Sequence, residues 1–558
     1  MPPTRTTRLA AATLAVVAFA FASGADAQAS RTGGSRPGID ILHYEFRVDF
    51  PARGFPDTVE VGGTIVALRT ARADSLVLDL QRAMTVRDAQ VNGVAVVPVR
   101  DSVSLRLPLP PQPAGQGDTV RIALRYRGHP TDGLIIRRDS AGGYWTAFAD
   151  HFPNRAQQWL ATVDHPSDKA TVEWIVRAPA SHRVIANGEL EEETPELAPD
   201  GTPAMMLTRW RAVRPIYTGV MVIGVAPFAS YELGKSACAM AELPGCVRQS
   251  VWISPDVRSY MPGPFAKAGA MVELFARLVA PFPYEKLAHV QSSTRYGGME
   301  NASAIFYADA IYRGRTMGEG LIAHEIAHQW FGDAVTTKEW PHVWLSEGFA
   351  TYFAALWTEH SAGGGAFLED MRRMRDQVLK SKITAEKPVV DEELSDVGKV
   401  LNSNVYQKAG FVLHMLRREV GDSAFFTGIR NYYARHRHGN ALTADFMREM
   451  EGASGAKLDW FFEQWMTRPG IADLTVNWRW DQGRRTLLLT ASQVGPLAPY
   501  RVGLTVDVTD AKGVVQRVRV TVPAARVATL PVPVGLDAPP RSVALDGDVS
   551  LLGRLTVP

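Results

Sequence analysis

From residue 41 to about residue 230, apolar and polar side chains alternate along the chain. Tyr44, Phe46, Val48 and Phe50 are interleaved with Glu45, Arg47 and Asp49, and Val120, Ile122, Leu124 and Tyr126 repeat the pattern. A period of two puts the two sets on opposite faces of a pleated strand, so these stretches predict half-buried antiparallel strands. Turn-rich segments at 108–118 and 191–203 interrupt them, and no helical period of comparable length occurs in this region. Between about residues 231 and 469 the apolar positions recur at helical spacing, which predicts helices over 266–278, 318–331, 343–357, 405–420 and 458–466. Gly410 interrupts the fourth of these and weakens its boundary. After Pro469-Gly470 the alternation returns at 486–491, 500–508 and 514–522, predicting a last all-β unit.

The chain of 558 residues is too long for one hydrophobic core, and at about 150 residues per domain three or four domains are expected. With 46% hydrophobic and 21% charged residues it has a globular composition, neither disordered nor polytopic in a membrane. Sixty Lys and Arg against fifty-eight Asp and Glu leave +2, which excludes attraction of the whole chain to nucleic acid or anionic lipid. Partners must therefore be read from local chemistry.

The first residues read as an address. Arg5 and Arg8 precede an apolar, alanine-dominated stretch at 9–22, and Ala25-Asp26-Ala27 supplies small residues for a signal peptidase. The stretch falls short of the roughly 20 apolar residues of a membrane span, so export with cleavage after Ala27 is expected, to the periplasm or the medium. A flexible segment then runs to residue 37. In an exported protein Cys238 and Cys246, with Pro244 and Gly245 between them, are expected to form a local disulfide; their spacing fits no zinc knuckle.

The middle region contains His324-Glu325-Ile326-Ala327-His328. On a helix the two imidazoles share one face and can reach one zinc ion, with Glu325 beside the metal-bound water. A catalytic site requires a third ligand. Phe331 and Ala334 stand where a metzincin continuation would have Gly and His, which excludes that class. Eighteen residues separate His328 from Glu347, which lies on the next predicted helix, and a helix pair would return its carboxylate to the metal. His342 is also within reach, although its place beside Pro341 at a helix start favours a surface or capping role.

His324 to His328 with Glu347, preceded by Gly297-Gly298-Met299-Glu300-Asn301, resembles the M1 family of zinc aminopeptidases, the gluzincin group that includes aminopeptidase N and leukotriene A4 hydrolase. The surroundings of His43-Tyr44, of Asp164-His165-Pro166 and Lys169-Ala170, and of Tyr406 with Lys408-Ala409-Gly410 are similar to the family as well. The resemblance implies a multidomain α+β fold: an N-terminal antiparallel β domain at 38–230, a thermolysin-like, mainly helical zinc domain at 231–470, and a C-terminal β-sandwich at 471–558. The helical fourth domain of large relatives is expected to be absent, leaving the groove more open or covered by a second subunit.

The resemblance further implies one zinc ion per chain on His324, His328 and Glu347, with peptides bearing a free N-terminus as substrates. Glu325 is the expected general base and Tyr406 the oxyanion donor. Glu300 would receive the terminal ammonium, while Gly297, Gly298, Met299 and Asn301 form an edge that an extended peptide can join. Asn301 also begins a glycosylation sequon, where a glycan would collide with that edge. Asp150 lies near the place where many relatives carry an amine-binding Gln, and is either a second ammonium partner or a surface acid. Ser346 replaces a frequent Asn and is expected to affect how Glu347 is oriented. The rival readings are a thermolysin-type endopeptidase and a catalytically silent peptide-binding protein; the lipid epoxide hydrolase activity of one family branch has no counterpart in an apolar channel here.

Overall fold

A computed structural model describes residue 36 and residues 38–112, 118–138, 143–236, 247–260 and 263–558. The expected leader and the pair Cys238 and Cys246 lie outside the described residues. Among the described residues, no helix is long and apolar enough to cross a membrane.

The alternating N-terminal pattern folds into an eight-stranded sheet whose centre is built from Lys169–Pro179, Ile39–Asp49, Val59–Arg69 and Asp118–Gly128. Tyr44, Phe46, Val48 and Phe50 are buried, while Arg47 and Asp49 face solvent. One pairing departs from the antiparallel expectation, because Ile39–Asp49 runs parallel to Lys169–Pro179, with Phe46 opposite Trp174. Alternation reports which face is buried and carries no information on the direction of a neighbour, so a mixed sheet reads the same. A second sheet of four strands, Arg183–Ala186, Ile223–Ala226, Trp145–Ala149 and Leu134–Arg138, leads towards the middle region.

The middle region opens with strands before its helices. Ala229–Lys235, Arg248–Ile253, Lys286–Ser292, Ala304–Ala308 and Gly298–Met299 form a five-stranded sheet in that order, with Gly298–Met299 at the edge. Every residue of Lys286–Ser292 is buried. A strand covered on both faces has no polar phase, which is why period-two reading does not see it. The helix Ala268–Leu278 connects Arg248–Ile253 to Lys286–Ser292, and after the sheet come Glu319–His328, Trp344–Ala362, Gly364–Lys380 and Ala409–Val420. Gly410 lies inside the last of these, where an added Cβ would sit 3.1 Å from Thr351 and 3.2 Å from Met374; it permits close helix packing and does not end the helix.

The C-terminal strands form two sheets of four and three strands, the first built on Ala472–Asp481 and Thr486–Ser492, the second on Val502–Thr509. The molecule thus has an N-terminal β-rich part, a helical middle part and a C-terminal β part.

Candidate active site

The helix Glu319–His328 presents His324 and His328 one turn apart, and the helix Trp344–Ala362 packs against it. Phe331 and Phe349 stack at 4.4 Å between centroids, fixing the approach of the two segments from an apolar core. The Nε2 atoms of His324 and His328 are 3.0 Å apart, and Oε2 of Glu347 lies 3.4 Å from the first and 3.3 Å from the second. Three donors therefore converge on one point from two helices.

The other edge of each ring decides which nitrogen is free. His328 Nδ1 lies 3.1 Å from the Phe331 carbonyl and 3.0 Å from Ser346 Oγ. Donation of Nδ1–H to that carbonyl leaves the Nε2 lone pair directed at the convergence point. Ser346 thus steadies His328, a different ligand from the one the sequence suggested it would orient. His342 is elsewhere: its Nδ1 meets Thr443 Oγ1, at the start of the helix Thr443–Ser454, at 2.8 Å and its Nε2 is 3.5 Å from Glu392, which leaves Glu347 as the candidate third ligand.

Glu325 is buried, and its Oε2 has no hydrogen-bond partner. Its carboxylate packs on Gly298: a Cβ there would fall 2.1 Å from Glu325 Oε1 and 2.3 Å from its carboxyl carbon, so any larger residue would displace that carboxylate. Gly298 and Met299 pair with Tyr307 and Phe306 on one side only, and the other side of this short strand is its free edge, close to the helix Glu319–His328. Glu300 follows at once, also buried, and donor atoms of Glu300, Glu325 and His328 lie within 4.8 Å of one another. Asn301 is fully buried with neither amide atom hydrogen-bonded, which rules its sequon out as a glycan acceptor in the folded chain. Tyr406 sits in a five-residue π-helix, Asn404–Lys408, and stacks on His324 with centroids 6.0 Å apart. Such bulges re-aim a side chain that a regular helix would point elsewhere.

Electrostatics bind the cluster together. Burial pushes the carboxyls of Glu300 and Glu325 above their usual range. Burial alone would also raise Glu347 and lower His328, but the imidazoles of His328 and His324 hold Glu347 down, and the charges of Glu300, Glu347 and Glu325 hold His328 up. His324 is lowered by burial. Burial, with the charges of Glu347 and Glu300, raises the Tyr406 phenol and keeps its hydrogen in place as a donor. Three buried acids around two imidazoles make a site short of positive charge. Two imidazole nitrogens, one carboxylate oxygen and the orphaned oxygen of Glu325 facing them form a donor set that suits zinc.

Asp150 takes a different part. It is buried, with Oδ2 3.1 Å from Arg295 Nε and 2.9 Å from Arg155 Nη2, while Oδ1 accepts from Thr294 Oγ1 at 3.1 Å. Two guanidinium groups already satisfy it, so it is neither the surface acid nor a carboxylate free to receive an ammonium. The sequence gives no sign of this pairing, since 145 residues separate Asp150 from Arg295.

Comparison with known proteins agrees with this arrangement. Residues 266–465 match the family model described as the peptidase family M1 domain. A probable aminopeptidase 1 of Saccharolobus solfataricus is 26% identical over 64% of this chain and 46% of its own. The chain spans about half the length of the curated relatives it matches. Among solved structures, an M1 zinc metallopeptidase from Deinococcus radiodurans has a TM-score of 0.65 at 24% identity over 78% of this chain and 94% of that one. Legionella pneumophila aminopeptidase A, in complex with aspartic acid, has a TM-score of 0.78 at 17% identity over 94% of this chain and 60% of that one. At these identities the structures establish a shared fold.

Proposed function

We propose that this chain, whose residues 266–465 match the peptidase family M1 domain, has zinc-dependent aminopeptidase activity: hydrolysis of the N-terminal bond of peptides. The observation that carries this reading is the second acid beside the ligand set. Glu300 stands within 4.8 Å of both Glu325 and His328, at the end of a free strand edge. A site that only cleaved bonds would need the ligands and Glu325; a further buried carboxylate suits a cationic group of the substrate.

A zinc ion on His324, His328 and Glu347, one per chain, would polarise the scissile carbonyl and make water nucleophilic near neutral pH. Glu325 takes the proton of the attacking water and hands it to the departing amine nitrogen. Its orphaned oxygen and raised proton affinity suit a group that holds a proton between those two events. The Tyr406 hydroxyl donates to the oxyanion that develops on the carbonyl oxygen. Glu300 accepts hydrogen bonds from the terminal ammonium and so fixes which bond reaches Glu325. An extended peptide joins the free edge of Gly298–Met299 through main-chain hydrogen bonds, which read no side chain.

The test uses aminoacyl chromogenic substrates with free and acetylated amines. Cleavage restricted to the free amine, lost with a chelator and restored by zinc, is expected; comparable cleavage of the acetylated substrate would establish an endopeptidase instead. We also propose that the protein is exported. Support comes from Arg5, Arg8, the apolar stretch at 9–22 and Ala25-Asp26-Ala27, and an N-terminus at residue 28 in protein recovered from the periplasm or medium would test it.

A further inference from the structure

The segment that carries Glu300 does not hold its own shape. Ser303, three residues on, has φ 63°, a left-handed conformation disfavoured for any residue with a Cβ. Buried side chains from other elements capture the backbone around it. Asn187 Nδ2 donates to the Ala302 carbonyl at 2.7 Å, and Lys286 Nζ donates to the Ser303 carbonyl at 3.1 Å. The Gly188 amide donates to Ser303 Oγ at 2.9 Å, and two further bonds come from Gln329, fully buried and directly after His328. Its Nε2 donates to the Glu300 carbonyl at 2.9 Å and its Oε1 accepts from the Ser303 amide at 2.8 Å. Nε2 also donates to Asp333 Oδ2 at 2.9 Å, which holds the amide in plane for both other bonds.

Both hydrogen bonds that Gln329 makes outside its own loop go to the first and last residues of the turn bearing Glu300. Because Gln329 is bonded covalently to His328, one side chain of fixed length ties this turn to the metal-ligand helix. A shift of the turn by an ångström would move the carboxylate off the ammonium and weaken the hold on a free amine. We propose that Gln329 is a positioning residue that sets the distance between the ammonium acceptor Glu300 and the metal ligands. This rests on the reading of Glu300 given above. A merely structural amide would be needed equally by every ligand of the site, whereas a positioning residue matters most to ligands that carry a free amine.

Amino-acid hydroxamates separate the two, since the hydroxamate chelates zinc whether the amine is free or acetylated. In Gln329→Met, loss of neutral hydrogen bonds should weaken the free-amine inhibitor about 3- to 10-fold and raise KM for free-amine substrates by a similar factor. The acetylated inhibitor, kcat and zinc content should change little. Should Gln329→Met not fold, Ser303→Gly serves in its place. Glycine accepts φ 63° without strain yet releases the turn to other conformations, so the same selective loss is expected. An unchanged ratio of free to acetylated inhibitor affinity in the variant that folds would overturn the proposal. Glu300→Ala is measured beside it: if that change also leaves the ratio untouched, the reading of Glu300 fails; if it collapses the ratio while Gln329→Met does not, the inference alone fails.

Discussion

Two buried acids flank the approach to the metal ligands, and their surroundings differ. Glu300 is buried, and the positive group acting on it is the imidazole of His328. Asp150 is buried as well, but Arg155 and Arg295 both reach it and Thr294 takes its remaining oxygen. A buried carboxylate is costly without a cation. At Asp150 the chain supplies that cation, and the result is a fixed junction between the strand Trp145–Ala149 and the loop that leads to Gly297. At Glu300 the chain supplies no guanidinium or ammonium, which is the basis for proposing that the substrate supplies it. Burial marks both positions equally; the absence of an arginine or lysine at one of them distinguishes recognition from architecture.

The comparison can be broken at several points. The largest effect is expected from Glu325→Gln, which should lower kcat by about 10² to 10⁴ while zinc content stays at one per chain. A variant with normal turnover would remove Glu325 from the mechanism. Tyr406→Phe should lower kcat by about 10² to 10³ with little change in KM, because the hydroxyl acts on the developing oxyanion and not on bound substrate. Glu300→Ala should reduce kcat/KM for free-amine substrates by roughly 30-fold or more, the cost of an ammonium buried without its partner. Asp150→Asn should leave the preference for free over acetylated amines intact and instead lower the melting temperature, since two guanidinium groups lose their acid. A loss of amine preference in Asp150→Asn, matching that of Glu300→Ala, would erase the distinction between the two acids.

A third acid sharpens the rule. Asp168 is buried, its Oδ1 has no hydrogen-bond partner, and its Oδ2 accepts only weakly from Ile41 at 3.3 Å, yet it lies in the N-terminal sheet region. Burial raises its carboxyl to about 7, so it is held protonated in the fold. A folded value above the unfolded one means stability that is present at low pH and lost as pH rises through the folded value. Between about pH 4 and 7 this one group should reduce stability by up to about 1.4 kcal/mol per pH unit. Asp168→Asn should therefore flatten the fall in unfolding free energy across that window. Part of the slope will remain, because Asp164 is raised by burial to about 7 as well. An unpaired buried acid is thus not by itself a site: it can take up a proton, and becomes a site where a ligand set and a free strand edge adjoin it. An unchanged slope in Asp168→Asn would show that its carboxyl is not held protonated.

What was legible in advance divides along a physical line. His324, Glu325 and His328 declared themselves because a helix places every fourth residue on one face, a local rule that needs no partner. Glu347 was reachable because two successive helices must pack, though the choice between it and His342 depended on which one Thr443 and Glu392 had already engaged. The alternating strands of the outer sheet were visible for the same reason as the motif, a short period set by solvent on one side. The inner strands Lys286–Ser292 and Ala304–Ala308 were not, because burial on both faces removes the contrast that periodicity reads.

The amino-acid sequence by itself determined the chemistry available: two imidazoles and a glutamate with ligand spacing, a second glutamate between the imidazoles, and a glycine pair before an acid. Only the tertiary structure decided which acid remains without a cation, that a larger residue at Gly298 would displace the Glu325 carboxylate, that Ser346 steadies His328, and that Gln329 reaches back to Glu300. Those contacts join residues from 18 to 145 positions apart. Side-chain pairing across such distances follows from how sheets and helices stack, and no local periodicity encodes it.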